Sequence, residues 1–210
     1  MNKKSRKLSA FIPVQNVEPI IEECLESIKW IDEIFIVDSF STDKTLEICR
    51  QYDNVKIVQN EYENSGAQRY WGMPQVTHDW IFIIDSDERC NKYLRSEIEN
   101  ILSYDKIDVD GFWVNIKTRF LGKIQNHDRY LGHRGMRLVR KHTYKNFDLK
   151  RVHSKLVVEN SGKIKNKDSF IIHEPIRDFS EHLIKMIRYA EWAAQDMYDR
   201  GVRVNAFHFL

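Results

Sequence analysis

Long apolar runs are missing from this 210-residue chain. No stretch approaches the roughly 20 apolar residues that span a bilayer. The basic start, Asn2-Lys3-Lys4-Ser5-Arg6-Lys7, leads only into Leu8 to Val14, which Ser9 and Pro13 interrupt. That is too short for the apolar core of a secretory signal. The start reads as a solvated terminus, with weak attraction to anionic lipid as the alternative. Cysteine is scarce: Cys24, Cys49 and Cys90 are odd in number and lack C-x-x-C spacing. This excludes a disulfide framework or a zinc knuckle and fits a reducing cytoplasm. An excess of one charge is missing too, since 33 Lys and Arg against 31 Asp and Glu leave +2. Bulk nucleic-acid binding needs a strong basic excess, so no nucleic-acid partner is expected. Internal repeats and low-complexity segments are absent.

What is present is 42% hydrophobic and 12% aromatic, enough for the core of one domain, or of one domain with an appendage. Leu8 to Val14 reads as a strand with Pro13 at its end, where proline is tolerated. Pro19 suits a helix first turn, and Ile20, Ile21, Cys24, Leu25 and Ile28 recur at helical spacing. Glu33 to Asp38 is a second strand; Leu46 to Tyr52 follows as helix, and Val55 to Gln59 as a third strand. A helix over Ser65 to Gln75, a strand from Trp80 and a helix over Lys92 to Leu102 continue the alternation. That alternation predicts a parallel sheet with right-handed crossovers. Past Asp105 the pattern changes. Gly111 to Thr118 alternates at period two, Phe120 to Ile124 suits a hairpin, and Met136–Arg140 and Lys155–Val158 are short strands. Phe179 to Arg200 carries an apolar stripe of Phe179, Leu183, Ile187, Ala190, Ala194 and Met197, closed by Gly201. The stripe is most simply packing, and homodimer formation through it stays open.

The chain is organised around Trp80-Ile81-Phe82-Ile83-Ile84-Asp85-Ser86-Asp87-Glu88-Arg89. A short uninterrupted apolar run is a strand buried on both faces. In an open α/β sheet, ligands sit beyond the carboxyl ends of the strands. Two carboxylates there can hold a hard divalent cation, with phosphate completing the shell. The alternative is an acidic turn capping the next helix.

The ordered set Phe11-Ile-Pro-Val-Gln-Asn16, Cys24-Leu-Glu-Ser-Ile28, Ile36-Val-Asp-Ser39, Ser41-Thr-Asp-Lys-Thr45, Gly66-Ala-Gln-Arg69 and Asp85-Ser-Asp-Glu-Arg89 resembles family 2 glycosyltransferases of the GT-A fold. Arg137-Leu-Val-Arg140, Val152-His-Ser154 and His173 further resemble the branch of lipopolysaccharide core-biosynthesis glucosyltransferases. The resemblance implies an α/β fold in two halves of one domain. Residues 1–105 would be a Rossmann-like nucleotide-sugar-binding half with a mostly parallel sheet. Residues 106–210 would be a mixed acceptor-side half ending in the long helix.

The resemblance also implies a nucleotide-sugar donor, a glycan or glycolipid acceptor, and Mn²⁺ or Mg²⁺. By motif position, Pro13, Val14 and Asn16 line the base pocket and Asp38 accepts from the uracil ring N–H. Arg69 is a positive contact to the nucleotide. Asp85 lies near ribose and metal, and Asp87 on the metal. Arg137 is a candidate for the diphosphate, and Trp113 for stacking on a sugar face. The branch carries glutamate where Ser154 stands, so His153, Glu159 and Glu88 are the alternatives for the catalytic base. The other histidines lack the i, i+4 spacing of a helical zinc motif and read as exposed or hydrogen-bonded. His133 stands where the branch has an acidic residue, and Tyr70 where it has asparagine.

The expected activity is inverting, metal-dependent transfer to a surface polysaccharide or lipopolysaccharide-type acceptor. The expected location is the cytoplasm, at most peripheral at the inner face of its membrane. Relatives continue past the long helix with an apolar tail. The stop here points to a soluble acceptor, a partner protein or an impaired copy that only binds a nucleotide sugar or partner. A sugar nucleotidyltransferase would need a Gly-rich phosphate loop, which Pro13-Val14-Gln15-Asn16 does not supply.

Overall fold

A computed structural model describes residues 6–120, 122–124, 132–148, 155–175 and 179–202. The chain begins β1 (Leu8–Val14), α1 (Glu18–Ile28), β2 (Glu33–Asp38), α2 (Thr45–Cys49), β3 (Val55–Gln59), α3 (Ser65–Gly72) and β4 (Trp80–Ile83). These strands pair in parallel in the order β3-β2-β1-β4. Every residue of β2 and β4 is buried, which is why their apolar runs are unbroken. On α1, Ile21, Cys24, Leu25 and Ile28 form the buried face, and Pro19 occupies the first turn, where its missing N–H costs nothing.

After β4 come β5 (Glu88–Cys90), α4 (Lys92–Leu102), β6 (Gly111–Phe120), β7 (Lys123–Ile124), β8 (Gly132–Arg140), β9 (Phe147–Asp148), β10 (Lys155–Leu156), β11 (Ser161–Lys163), β12 (Phe170–His173) and α5 (Phe179–Asp199). The sheet continues β4-β8-β6-β12-β5, with β8 antiparallel to both its neighbours and β12 parallel to β6. One sheet therefore runs across residue 105. It curls, because its last strand β5 returns to α1: Cys90 N–H donates to the Ser27 hydroxyl at 3.1 Å, and the Arg89 guanidinium to the Ile20 carbonyl at 2.9 Å.

Several expectations are corrected. The helix read over Ser65–Gln75 breaks at Gly72 into a 3₁₀ turn at Met73–Gln75. Pro74 cannot donate the next helical bond. At Gly72 a Cβ would lie 2.6 Å from the Phe11 ring and 2.8 Å from Val37, so only glycine lets α3 lie this close to β1 and β2. The helix read to Tyr52 ends at Cys49, where Gln51 N–H and Tyr52 N–H bond three residues back and tighten the chain into a turn. Val157 and Val158 fall outside β10. Residues 85–89 do not form one turn before a helix: Glu88–Cys90 pairs antiparallel with β12. Among the described side chains of the α5 stripe, Leu183 is 45% exposed and Ile187 61%, so this chain does not cover them. Among the described residues no helix is long and apolar enough to cross a membrane.

Candidate active site

Asp85 lies just past β4, at the carboxyl edge of the parallel strands. Its carboxylate accepts from two guanidiniums: Arg69 of α3 at 2.7 Å on one oxygen, and Arg137 of β8 at 3.3 and 3.4 Å on the other. Arg137 also donates to Glu88 at 2.6 Å, and the second oxygen of Glu88 accepts the Asp85 backbone N–H at 2.9 Å. Desolvation by the surrounding protein opposes charge on Asp85, but Arg69 and Arg137 outweigh it and hold the carboxyl well below the usual carboxylate range. Glu88 goes the other way. Burial pushes it up to about 7 against the pull of Arg137, and the charges of Asp85 and Asp87 add to the rise.

Arg137 reaches this cluster because the β6–β8 ladder slips. Phe112 pairs with Leu138 and Trp113 with Met136, which leaves Arg137 opposite no residue of β6. Such a bulge re-aims a side chain. Gly135 leaves room for it, as a Cβ there would meet the Arg137 Nε at 2.9 Å. Arg140 leaves the opposite way, stacking over Trp80 and pairing with Asp79 at 2.7 Å.

The β5–β12 register sets His173 against Glu88, and His173 Nε2 then lies 3.3 Å from Asp87 Oδ2. Among the described residues no group of three or more His, Cys, Asp or Glu side chains makes a ready metal cage. Among the described residues, Asp87 and His173 lie side by side and could both donate to a divalent ion. An ion that keeps water and phosphate oxygens needs only one or two protein ligands. Asp85 is less suited to that role, because both its oxygens already face guanidiniums.

Burial alone would lower the His173 pKa, but the hydrogen bond and charge of Asp87 outweigh it and raise it. A raised histidine stabilises the fold below its unfolded pKa of about 6.5 and loses that contribution as pH rises through the folded value. Metal binding needs the neutral ring. In titrations followed by thermal shift, Mn²⁺ affinity should therefore climb between pH 6 and pH 8. The ligand-free melting temperature should fall over the same interval, and His173→Gln should flatten both trends.

Two strands away, Asp38 is fully buried at the end of β2. Its carboxylate accepts from Ser41 N–H at 3.1 Å, the Ser41 hydroxyl at 2.5 Å and the Gln59 amide at 2.9 Å. Here it anchors the loop after β2. That loop is tied to the loop after β1: Asn16 N–H donates to the Ser41 hydroxyl at 2.9 Å, and Thr42 N–H to the Asn16 side chain at 2.8 Å. Asn16 (φ 50°) and Phe40 (φ 57°) both take left-handed backbone. For asparagine that is ordinary; for a phenylalanine it costs on the order of 1–3 kcal/mol.

The remaining candidates fall in different places. His153 lies outside the described residues. Glu159 is exposed beside Asn160, whose amide donates to the Asp108 carbonyl at 2.6 Å. That is where β6 begins, the edge of the sheet away from Asp85. Trp113 is half-buried, donates its indole N–H to the Ser161 hydroxyl at 3.2 Å, and packs in the core. It precedes Thr118, the partner of His173, by five residues, or about 16 Å along the strand. Val14 is buried in the main core and Pro13 is half-buried. The structure thus brings together Arg69, Asp85, Asp87, Glu88 and Arg137, adds His173, and leaves Glu159 and Trp113 apart.

A family model, glycosyl transferase family 2, matches residues 9–165. The chain belongs to glycosyltransferase family 2. Its curled, mixed sheet is the GT-A fold of that family. One relative is the lipopolysaccharide core biosynthesis glycosyltransferase LpsC of Rhizobium meliloti, 27% identical over 97% of this chain and 76% of LpsC. Another, a Rickettsia bellii glycosyltransferase, is 37% identical over 50% of this chain and 35% of its own length, so the chain spans about a third of that relative. Staphylococcus aureus TarS 1–349, solved with UDP-GlcNAc, superposes with a TM-score of 0.63 at 20% identity, over 82% of this chain and 59% of TarS. At that identity the superposition speaks for the fold of this family 2 member and for nothing finer.

Proposed function

We propose that this protein transfers a sugar, with inversion, from a UDP-sugar to a hydroxyl of a surface polysaccharide or lipopolysaccharide-type acceptor, with Mn²⁺ or Mg²⁺ as cofactor. One observation carries the proposal: an Asp87–His173 pair stands beside an arginine-clamped Asp85 at the carboxyl ends of the parallel strands. The charges there nearly cancel, with Asp85, Asp87 and Glu88 against Arg69, Arg137 and a protonated His173. Exchange of the His173 proton for a divalent ion adds positive charge, which a diphosphate would complement. Metal and nucleotide should therefore bind synergistically.

Arg69 adds support, since its Nε is buried and has no hydrogen-bond partner among the described residues. A buried donor is rarely left unpaired, and a phosphate oxygen would satisfy it. The metal, when bound, would offset the charge that develops on the diphosphate as the sugar–phosphate bond lengthens. Arg69 and Arg137 would keep the carboxylates in place and add to the positive field around the leaving group.

The acceptor oxygen bonds to the anomeric carbon on the face opposite the diphosphate, and its proton passes to a base. We assign that base to His153. Both oxygens of Glu88 are engaged, and Glu159 is at the other edge of the sheet. The similarity to LpsC across 97% of this chain supports the choice of acceptor class. A lipid-linked acceptor would bring the protein to the inner face of the cytoplasmic membrane.

The test is UDP release from a panel of UDP-sugars with Mn²⁺, with and without lipopolysaccharide-core acceptors. Acceptor-stimulated release supports the proposal. Absence of any release, together with no thermal shift by any nucleoside diphosphate, overturns it. Tight donor binding with no turnover would favour the reading as an impaired, binding-only relative, which the serine at position 154 motivates.

A further inference from the structure

Phe40 is held in an unfavourable backbone conformation and gets little packing in return. Its φ is +57°, a region that bulky side chains avoid, and the residue is 52% exposed. Hydrogen bonds hold the chain on both sides of it. Ser39 N–H donates to the Val14 carbonyl at 2.9 Å, and the Ser39 carbonyl accepts the Gln15 amide at 3.0 Å. On the other side, Ser41 is fixed by Asp38 and by Asn16. Strain that the surroundings over-determine collects at functional sites, where it fixes a group that must be pre-placed.

The location agrees. The Ser39 hydroxyl accepts from Gln68 of α3 at 2.8 Å, and the next residue, Arg69, holds Asp85. Phe40 is thus at the same edge of the sheet as the arginine cluster. It lies two strand spacings across, about 10 Å from the end of β4. A nucleoside diphosphate with its phosphates at Asp87 and Arg69 would carry its base about that far, toward the end of β2.

We propose that the Phe40 ring is the stacking face for the nucleobase of the donor. The assignment rests on the reading of the site as a nucleotide-sugar site. In it, Asp38 is a positioning residue: its bonds to Ser41 and Gln59 hold the loop that presents the ring. Stacking on an aromatic face tolerates any base, so Phe40 supplies affinity for the nucleoside and no grip on the phosphates.

The experiment compares binding of UDP and of inorganic pyrophosphate, each with Mn²⁺, by the wild-type protein and by Phe40→Gly, Phe40→Ala and Phe40→Tyr. Phe40→Gly removes the ring and is at ease in left-handed backbone, so its ligand-free melting temperature should be no lower than wild type. UDP should bind Phe40→Gly and Phe40→Ala roughly 5- to 150-fold more weakly, the range for loss of one base–aromatic stack. Pyrophosphate should bind all four proteins alike, and Phe40→Tyr should keep wild-type affinity for UDP. Unchanged UDP affinity in Phe40→Gly and Phe40→Ala, or an equal loss for pyrophosphate, overturns the assignment while wild-type UDP binding keeps the parent reading. Wild-type protein that binds no nucleoside diphosphate at all removes both.

Discussion

Asp87→Ala should abolish the stabilisation that UDP with Mn²⁺ confers and slow sugar transfer by at least about 10³-fold. Loss of several kcal/mol of charge stabilisation at the leaving diphosphate has that size. Asp87 is half-buried and faces His173 at 3.3 Å, so its removal takes away one of two candidate donors and leaves the other with a lowered proton affinity. The fold itself should tolerate the change, with a ligand-free melting temperature within a few degrees of wild type. Asp85→Ala is the informative contrast. It takes the carboxylate from Arg69 and leaves Arg137 with Glu88 alone, so it should lower stability as well as activity. A thermal-shift series over Mn²⁺ and UDP, with UDP release measured in parallel, separates the two variants. Wild-type Mn²⁺-dependent stabilisation in Asp87→Ala would sink the assignment of this carboxylate to the metal.

Arg137→Met should be the most destabilising single change in the site. Its guanidinium bridges Asp85 and Glu88, and the Glu88 side chain is only 2% exposed. Removal of one partner from a buried ion pair costs about 3–5 kcal/mol, or about 6–20 °C in melting temperature for a chain of this size. The loss should depend on pH. Glu88, already pushed up to about 7 by burial, titrates higher still without Arg137. A carboxyl whose folded pKa is raised favours folding below its unfolded value of about 4.5, and that advantage is lost as pH rises through the folded value. The variant should therefore come closer to wild type at pH 5 than at pH 8. The double variant Arg137→Met/Glu88→Gln removes the stranded charge and should regain part of the stability. If Arg137→Met melts within about 2 °C of wild type at pH 8, the bridge is not the keystone described here.

Much of this architecture was legible because buried parallel strands must be apolar on both faces. Glu33–Asp38 and Trp80–Ile83 declared themselves that way, and the carboxylates at their ends marked the site edge. What stayed hidden depends on partners distant in the chain. β5 has only three residues and exists because β12, some eighty positions later, offers it a ladder. The same pairing gives Asp87 its histidine, and helical or zinc-motif spacing cannot show a contact made by strand register. Composition likewise carries no sign of a slipped ladder, so Arg137 could be named a candidate for the diphosphate but its bridge between Asp85 and Glu88 could not be read. At Phe40 the residue type argued against the conformation it adopts, and only the surrounding hydrogen bonds explain it. The apolar stripe of α5 marks the limit of periodicity, which reports a face and not what covers it: Leu183 and Ile187 are exposed in this chain.

The slip in β8 has a consequence for how this site can vary. The strand carries one amino acid more than its neighbour can match, and that supernumerary position is occupied by the cation that touches two of the site's three acidic groups. Excision of position 137 would leave a flawless ladder and erase the bridge, so the sheet would gain regularity from the very lesion that disarms the centre. The same excision would leave Glu88 buried without its cation, so the irregular rung of the sheet is also the one on which the acidic cluster depends.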